Sequence, residues 1–85
     1  MKIVISKHIT LDKIPLLRSR GYSITRKQIN EVISYPEHMD KDSDYPKIIA
    51  SKQYDQKHIL RVVYKIEGGI IKAITIYLAE KGRYY

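Results

Sequence analysis

Residues 59–78 read ILRVVYKIEGGIIKAITIYL, and how this stretch pairs with itself decides the fold. Both halves are crowded with β-branched residues and tyrosines, as strands demand. Gly68-Gly69 between them is a strong hairpin signal of type I′ or II′, because such turns need a positive φ that glycine takes at no steric cost. Toward the N-terminus, Ile48 to Tyr54 has the same character and is set off from Ile59 by Asp55-Gln56, a weaker turn signal. The stretch therefore predicts three antiparallel strands in a meander, over 48–54, 59–66 and 70–78.

Upstream the pattern changes. Residues 37–45 carry Glu37, Asp40, Asp42 and Asp44 with Ser43 and no apolar periodicity, which reads as a solvated loop. Before it, Thr25 is an N-cap whose capping box Gln28 completes, Ile24 can staple onto Ile29, and Ile29, Val32 and Ile33 form one stripe up to Tyr35-Pro36. This is a helix over 26–34. Leu11, Ile14 and Leu17 recur at helical spacing before Gly21, and Pro15 is tolerated only in a first turn, so a second helix is placed at 13–20. Met1 to Ile5 reads as a short strand. The order is strand, helix, helix and three strands: a single α+β domain over 1–85 with two helices packed on one face of an antiparallel sheet.

With 44% hydrophobic and 29% charged residues the composition is that of a folded chain, and with no cysteine it has neither a disulfide framework nor a thiolate zinc site. Ser6-Lys7-His8 interrupts the first apolar run too soon for a signal peptide, and nothing approaches the ~20 apolar residues of a membrane span. The chain reads as soluble, unprocessed and cytoplasmic, with no membrane partner. Sixteen Lys and Arg against nine Asp and Glu give a net charge of +7, which attracts polyanions.

Two-residue turns at both hairpins would set Ala50 opposite Arg61, Lys52 opposite Ile59, Tyr54 opposite Lys57, Lys65 opposite Lys72 and Arg61 opposite Ile76. One face then collects Lys52, Tyr54, Lys57, Arg61, Lys65 and Lys72, a basic surface suited to RNA. The other collects Ile49, Leu60, Val62, Tyr64, Ile66, Ile71, Ala73 and Tyr77 for the helices to cover. Lysines alone would mark any solvent face. Arg61 stands out because it lies between apolar neighbours, where a long cation needs an anionic partner or a path to solvent. Tyrosine occurs eight times and is the sole aromatic type. Tyr64 and Tyr77 read as core, and Tyr54, Tyr84 and Tyr85 as rings available to stack on bases.

Leu60-Arg61-Val62-Val63-Tyr64, the Gly68-Gly69 turn, Ile74-Thr75-Ile76-Tyr77 and the terminal Arg83-Tyr84-Tyr85 resemble the C-terminal half of the RelE/ParE toxin superfamily, the terminus that of its YoeB branch. Ser6-Lys7-His8, Arg18-Ser19-Arg20-Gly21 and a second helix ending at proline are similar to a domain-of-unknown-function family grouped with those toxins for its RelE-like fold. The resemblance implies a ribosome-dependent endoribonuclease of a toxin–antitoxin pair. It would cut mRNA with no metal or cofactor, by attack of the ribose 2′-OH on phosphorus to leave 2′,3′-cyclic phosphate and 5′-OH ends. By the same resemblance Arg61 would hold the scissile phosphate, Arg83 would be a second clamp, and Tyr85 or Tyr84 would stack or support proton transfer. Lys52 falls where the family places a basic residue.

The chain departs from that pattern in lacking a glutamate on strand 46–54 and in ending on tyrosine where the YoeB branch has histidine. The general base is therefore open. His8 is the imidazole that the related family supports, although on the residues alone it is an exposed histidine at a strand-to-helix junction. His58 points away from Arg61 in the expected register, and His38 lies in the acidic loop. These histidines do not show metal-ligand spacing. Two further readings stay beside the nuclease: a non-catalytic RelE/ParE-like module that binds a nucleic acid or protein target, and a basic face that binds an acidic protein such as an antitoxin.

Overall fold

A computed structural model describes residues 2–83. Five strands, β1 (Lys2–Ile5), β2 (His38–Asp40), β3 (Ile48–Gln53), β4 (His58–Glu67) and β5 (Ile70–Glu80), form one sheet in the order β1-β5-β4-β3-β2. Neighbours β2 to β5 pair antiparallel, but β1 lies parallel to β5, so the sheet is mixed and not wholly antiparallel. Helices α1 (Ile14–Ser19) and α2 (Arg26–Ser34) lie between β1 and β2 in the chain.

Local chemistry explains most element ends. In α2 the Gln28 backbone N–H donates to Thr25 Oγ1 at 3.1 Å and the Thr25 N–H donates to Gln28 Oε1 at 2.8 Å, a complete capping box. Gly21, at φ 91°, closes α1 with two bonds, Tyr22 N–H to the Leu17 carbonyl at 2.9 Å and Gly21 N–H to that of Arg18 at 3.0 Å. This Schellman motif brings Tyr22 back toward the sheet. Before α1 the chain already winds as a π-helical turn over His8–Lys13, earlier than Pro15 alone would allow for a regular helix. The wider turn is the reason: the Ile14 N–H reaches the Ile9 carbonyl five residues back, easing the approach to a proline that cannot donate four residues back. Ser6 anchors this turn, its Oγ donating to the Ile74 carbonyl at 2.9 Å.

The core lies between the helices and one sheet face. Ile9, Ile14, Leu17, Ile24, Ile29, Val32 and Ile33 pack on Ala50, Leu60, Val62, Tyr64, Ala73 and Ile76. Each fully buried aliphatic side chain contributes about 1.5–3 kcal/mol. Leu11, expected on the inner stripe, is exposed, because it falls in the π-helical turn and not on the α1 face.

The expected strand register is off by one in two places. Three residues, Asp55 to Lys57, turn the chain between Tyr54 and His58, whose backbones still bond at 2.9 Å, because the Asp55 carboxylate accepts from the N–H groups of Lys57 (2.8 Å) and His58 (2.7 Å). Ser51, not Ala50, therefore stands opposite Arg61, and Lys52 opposite Leu60. In β4–β5 the Gly68-Gly69 turn holds, with φ 56° and 76°, and Lys65 does face Lys72. A bulge beyond Tyr64 then shifts the rest, so Arg61 meets Tyr77 and Val62 meets Ile76. A slip of one residue turns side chains to the other face. Lys52 and Tyr54 thus join the helix side, and Tyr77, expected in the core, moves to the far face beside Arg61.

The acidic loop also contains the short edge strand β2, where His38 pairs with Ser51 and Asp40 with Ile49. Glu37 secures it, its backbone N–H donating to the Ser51 carbonyl at 2.9 Å and its carboxylate accepting from the Gln53 N–H at 2.6 Å. No helix among the described residues is long and apolar enough to cross a membrane.

Candidate functional site

Arg61 lies on the sheet face away from the helices, yet is only 4% exposed. Its Nε–H donates to Tyr77 Oη at 2.8 Å, and its guanidinium carbon sits 5.5 Å from the centre of that ring. Its charge also reaches Asp40 on β2. The Asp40 carboxyl is held down to about 2, first by hydrogen bonds from the Ser43 side chain and backbone, then by the Asp42 N–H, with Arg61 adding a smaller Coulombic pull. The guanidinium is thus engaged inside the fold, not presented to a ligand.

The other basic residues of the expected surface are dispersed. Lys65 and Lys72 share that far face, but both pair with Glu67, at 3.3 and 2.8 Å. These two lysines pull the Glu67 carboxyl below its ordinary value, Lys72 most strongly. Lys52 lines a small pocket with Gln28, Glu31 and Val32 on the helix side. Tyr54 donates from its hydroxyl to the Ser23 carbonyl at 3.2 Å and meets Tyr22 edge-on. Lys57 is exposed in the β3–β4 loop. His8 is exposed and pairs with Asp12 at 3.4 Å. Tyr84 and Tyr85 lie outside the described residues.

A different constellation forms between α1 and the far end of β5. There a groove of about 310 Å³ is lined by Lys13, Leu16, Leu17 and Arg20, by Tyr22 and His58, and by Tyr77 to Glu80 with Arg83. The leucines form an apolar floor, and Lys13, Arg20 and Arg83 bring three cations to its walls against one carboxylate, Glu80. Lys13 and Arg20 are carried there by the two ends of α1, and Arg83 by the turn after β5, where its N–H bonds the Glu80 carbonyl at 3.2 Å.

His58 gives this groove its chemistry. Asp55 Oδ1 and Oδ2 stand 2.9 and 3.1 Å from its Nδ1, and Tyr22 Oη stands 3.4 Å from its Nε2. The Tyr22 ring packs edge-on against the imidazole at 5.1 Å. Burial pushes the Asp55 carboxyl up, but hydrogen bonds from the Lys57 N–H and from the His58 side chain and backbone outweigh it and leave it below its ordinary value. A carboxylate beside Nδ1 keeps the proton on that nitrogen and leaves Nε2 as the acceptor of the Tyr22 hydroxyl.

The sequence singles out Arg83 and weighs His58, but not Lys13, Arg20, Tyr22 or Asp55. Asp-Gln-Lys-His over 55–58 held a usable signal, since an aspartate opening a turn can reach a side chain three residues on. The approach of α1 to β5 had none. Among the described residues, no group of three or more His, Asp or Glu side chains is placed to hold a metal ion. No family model, no curated protein and no solved structure matches this chain.

Proposed function

We propose that this protein is an RNA-binding domain of the RelE/ParE toxin type that acts as an endoribonuclease on ribosome-associated mRNA, with RNA seated in the groove between α1 and β5. The observation that carries the reading is the meeting of Lys13, Arg20 and Arg83 around an apolar floor beside an oriented imidazole. Cations neutralise phosphate, the floor and Tyr22 offer surface for a base or ribose, and the imidazole can move a proton. The net charge of +7 favours the encounter.

This assignment moves the site from the Arg61 face to the groove and keeps Arg83 from the residues that the family resemblance implies. Incubation of purified protein with mRNA-programmed ribosomes tests it. Cleavage leaving 2′,3′-cyclic phosphate and 5′-OH ends, weakened at least ~100-fold by Arg83→Ala, is expected for loss of a group that stabilises transition-state charge.

A second reading, a non-catalytic binding module, is favoured by one observation: Arg61, the phosphate clamp of the resemblance, is buried against Tyr77. RNA binding without cleavage would select that reading. An antitoxin masking the same groove fits either one.

A further inference from the structure

We propose that His58 is the general base of the cleavage, positioned by Asp55 and gated by Tyr22. The inference rests on the RNA-cleaving reading above and assigns the base that the sequence leaves open. A general base must have a fixed tautomer, a free electron pair aimed at the substrate space, and access to it. His58 meets the first and the third, and for the second its lone pair carries a single displaceable hydroxyl, that of Tyr22. Asp55 holds Nδ1–H from 2.9 Å, the imidazole lines the groove, and the side chain is 24% exposed. The Tyr22 hydroxyl touches Nε2 at 3.4 Å, long for a hydrogen bond, so a substrate hydroxyl can displace it at little cost.

The other imidazole raised by the sequence fits less well. His8 is 52% exposed, faces Asp12 in its own helical turn and does not line the groove. Around His58 the charges are mixed. Glu80 stands opposite it across the β4–β5 pair, Lys57 and Lys81 flank its outer side, and Arg20, Lys13 and Arg83 line the groove.

In the step itself, Nε2 takes the proton of a ribose 2′-OH, O2′ forms a bond to the adjacent phosphorus and the P–O5′ bond breaks. The departing O5′ takes a proton from water, and the imidazolium later returns its own to solvent. The groove cations balance the charge that builds on the phosphorane oxygens. No oxidant, reductant or co-substrate enters.

The test is a pH–rate profile at saturating programmed ribosomes for wild type, His58→Gln and Asp55→Asn, with RNA binding measured in parallel. Loss of a general base is expected to lower the rate for His58→Gln by ~10²–10⁴-fold and to remove the acid limb of the profile. Asp55→Asn is expected to lower the rate at least ~10-fold with RNA binding retained, because the imidazole loses the carboxylate that fixes its tautomer. Thermal melts establish that each variant is folded. Should His58→Gln be unstable, the Asp55→Asn rate loss at retained binding decides alone. Undiminished cleavage by folded His58→Gln, or by folded Asp55→Asn, overturns the assignment and leaves the nuclease reading intact. Binding without cleavage by wild type overturns the assignment and selects the binding module, and absence of binding overturns both.

Discussion

Replacing Arg61 separates a structural arginine from a phosphate clamp. In Arg61→Met the aliphatic stem stays while the charge leaves. What is lost is a charge-assisted hydrogen bond to Tyr77 Oη, about 1.5–3 kcal/mol, and the stacking of the cation near that ring, about 0.5–1 kcal/mol. What is recovered is the desolvation of a guanidinium in a site only 4% exposed, several kcal/mol in the same range. The two nearly cancel, so the methionine variant should unfold within ~1 kcal/mol of wild type. Arg61→Ala also gives up two buried methylenes at about 0.8 kcal/mol each and leaves a cavity, so a loss of roughly 2–4 kcal/mol is expected. Urea unfolding followed by circular dichroism reads both, and RNA affinity measured on the same samples completes the comparison. If Arg61 is structural, folded Arg61→Met binds RNA as wild type does. A methionine variant as stable as wild type but at least tenfold weaker for RNA would return the phosphate to the Arg61 face.

Thr25→Ala removes one half of the capping box and exposes the other, and should cost about 1 kcal/mol in urea unfolding. A change within error would mean that tertiary packing alone sets the start of α2. For Asp40, the folded carboxyl titrates at about 2 against an ordinary 3.8, so its contribution is fully present above pH 3.8 and is lost as pH falls through 2. A side-chain carboxyl NMR titration should show that midpoint and its rise in Ser43→Ala; an ordinary midpoint in wild type would contradict the turn geometry.

Elements whose causes are local were legible along the chain. Thr25 and Gln28 lie three residues apart and satisfy each other's backbone, so α2 begins and ends where the capping box and Tyr35-Pro36 place it. Gly21 and Gly68-Gly69 take the positive φ that their turns require, whatever packs around them. The inner stripe of Ile29, Val32 and Ile33 and the burial of Tyr64 follow from periodicity alone.

Tertiary structure decided which face each strand residue occupies and what meets at the groove. Side chains alternate with a period of two, so one added loop residue at Lys57 and one bulge beyond Tyr64 were enough to carry Lys52 and Tyr54 to the helix side and Tyr77 to Arg61. Neither device shows in the apolar pattern, which reads equally well in either register. β2 exists through pairing with β3 and not through any propensity of His38 to Asp40. The groove joins Lys13 and Arg20 to Arg83 across more than sixty residues of chain. That distance is closed by packing of the π-helical turn before α1 on β5, a physical cause with no local signature.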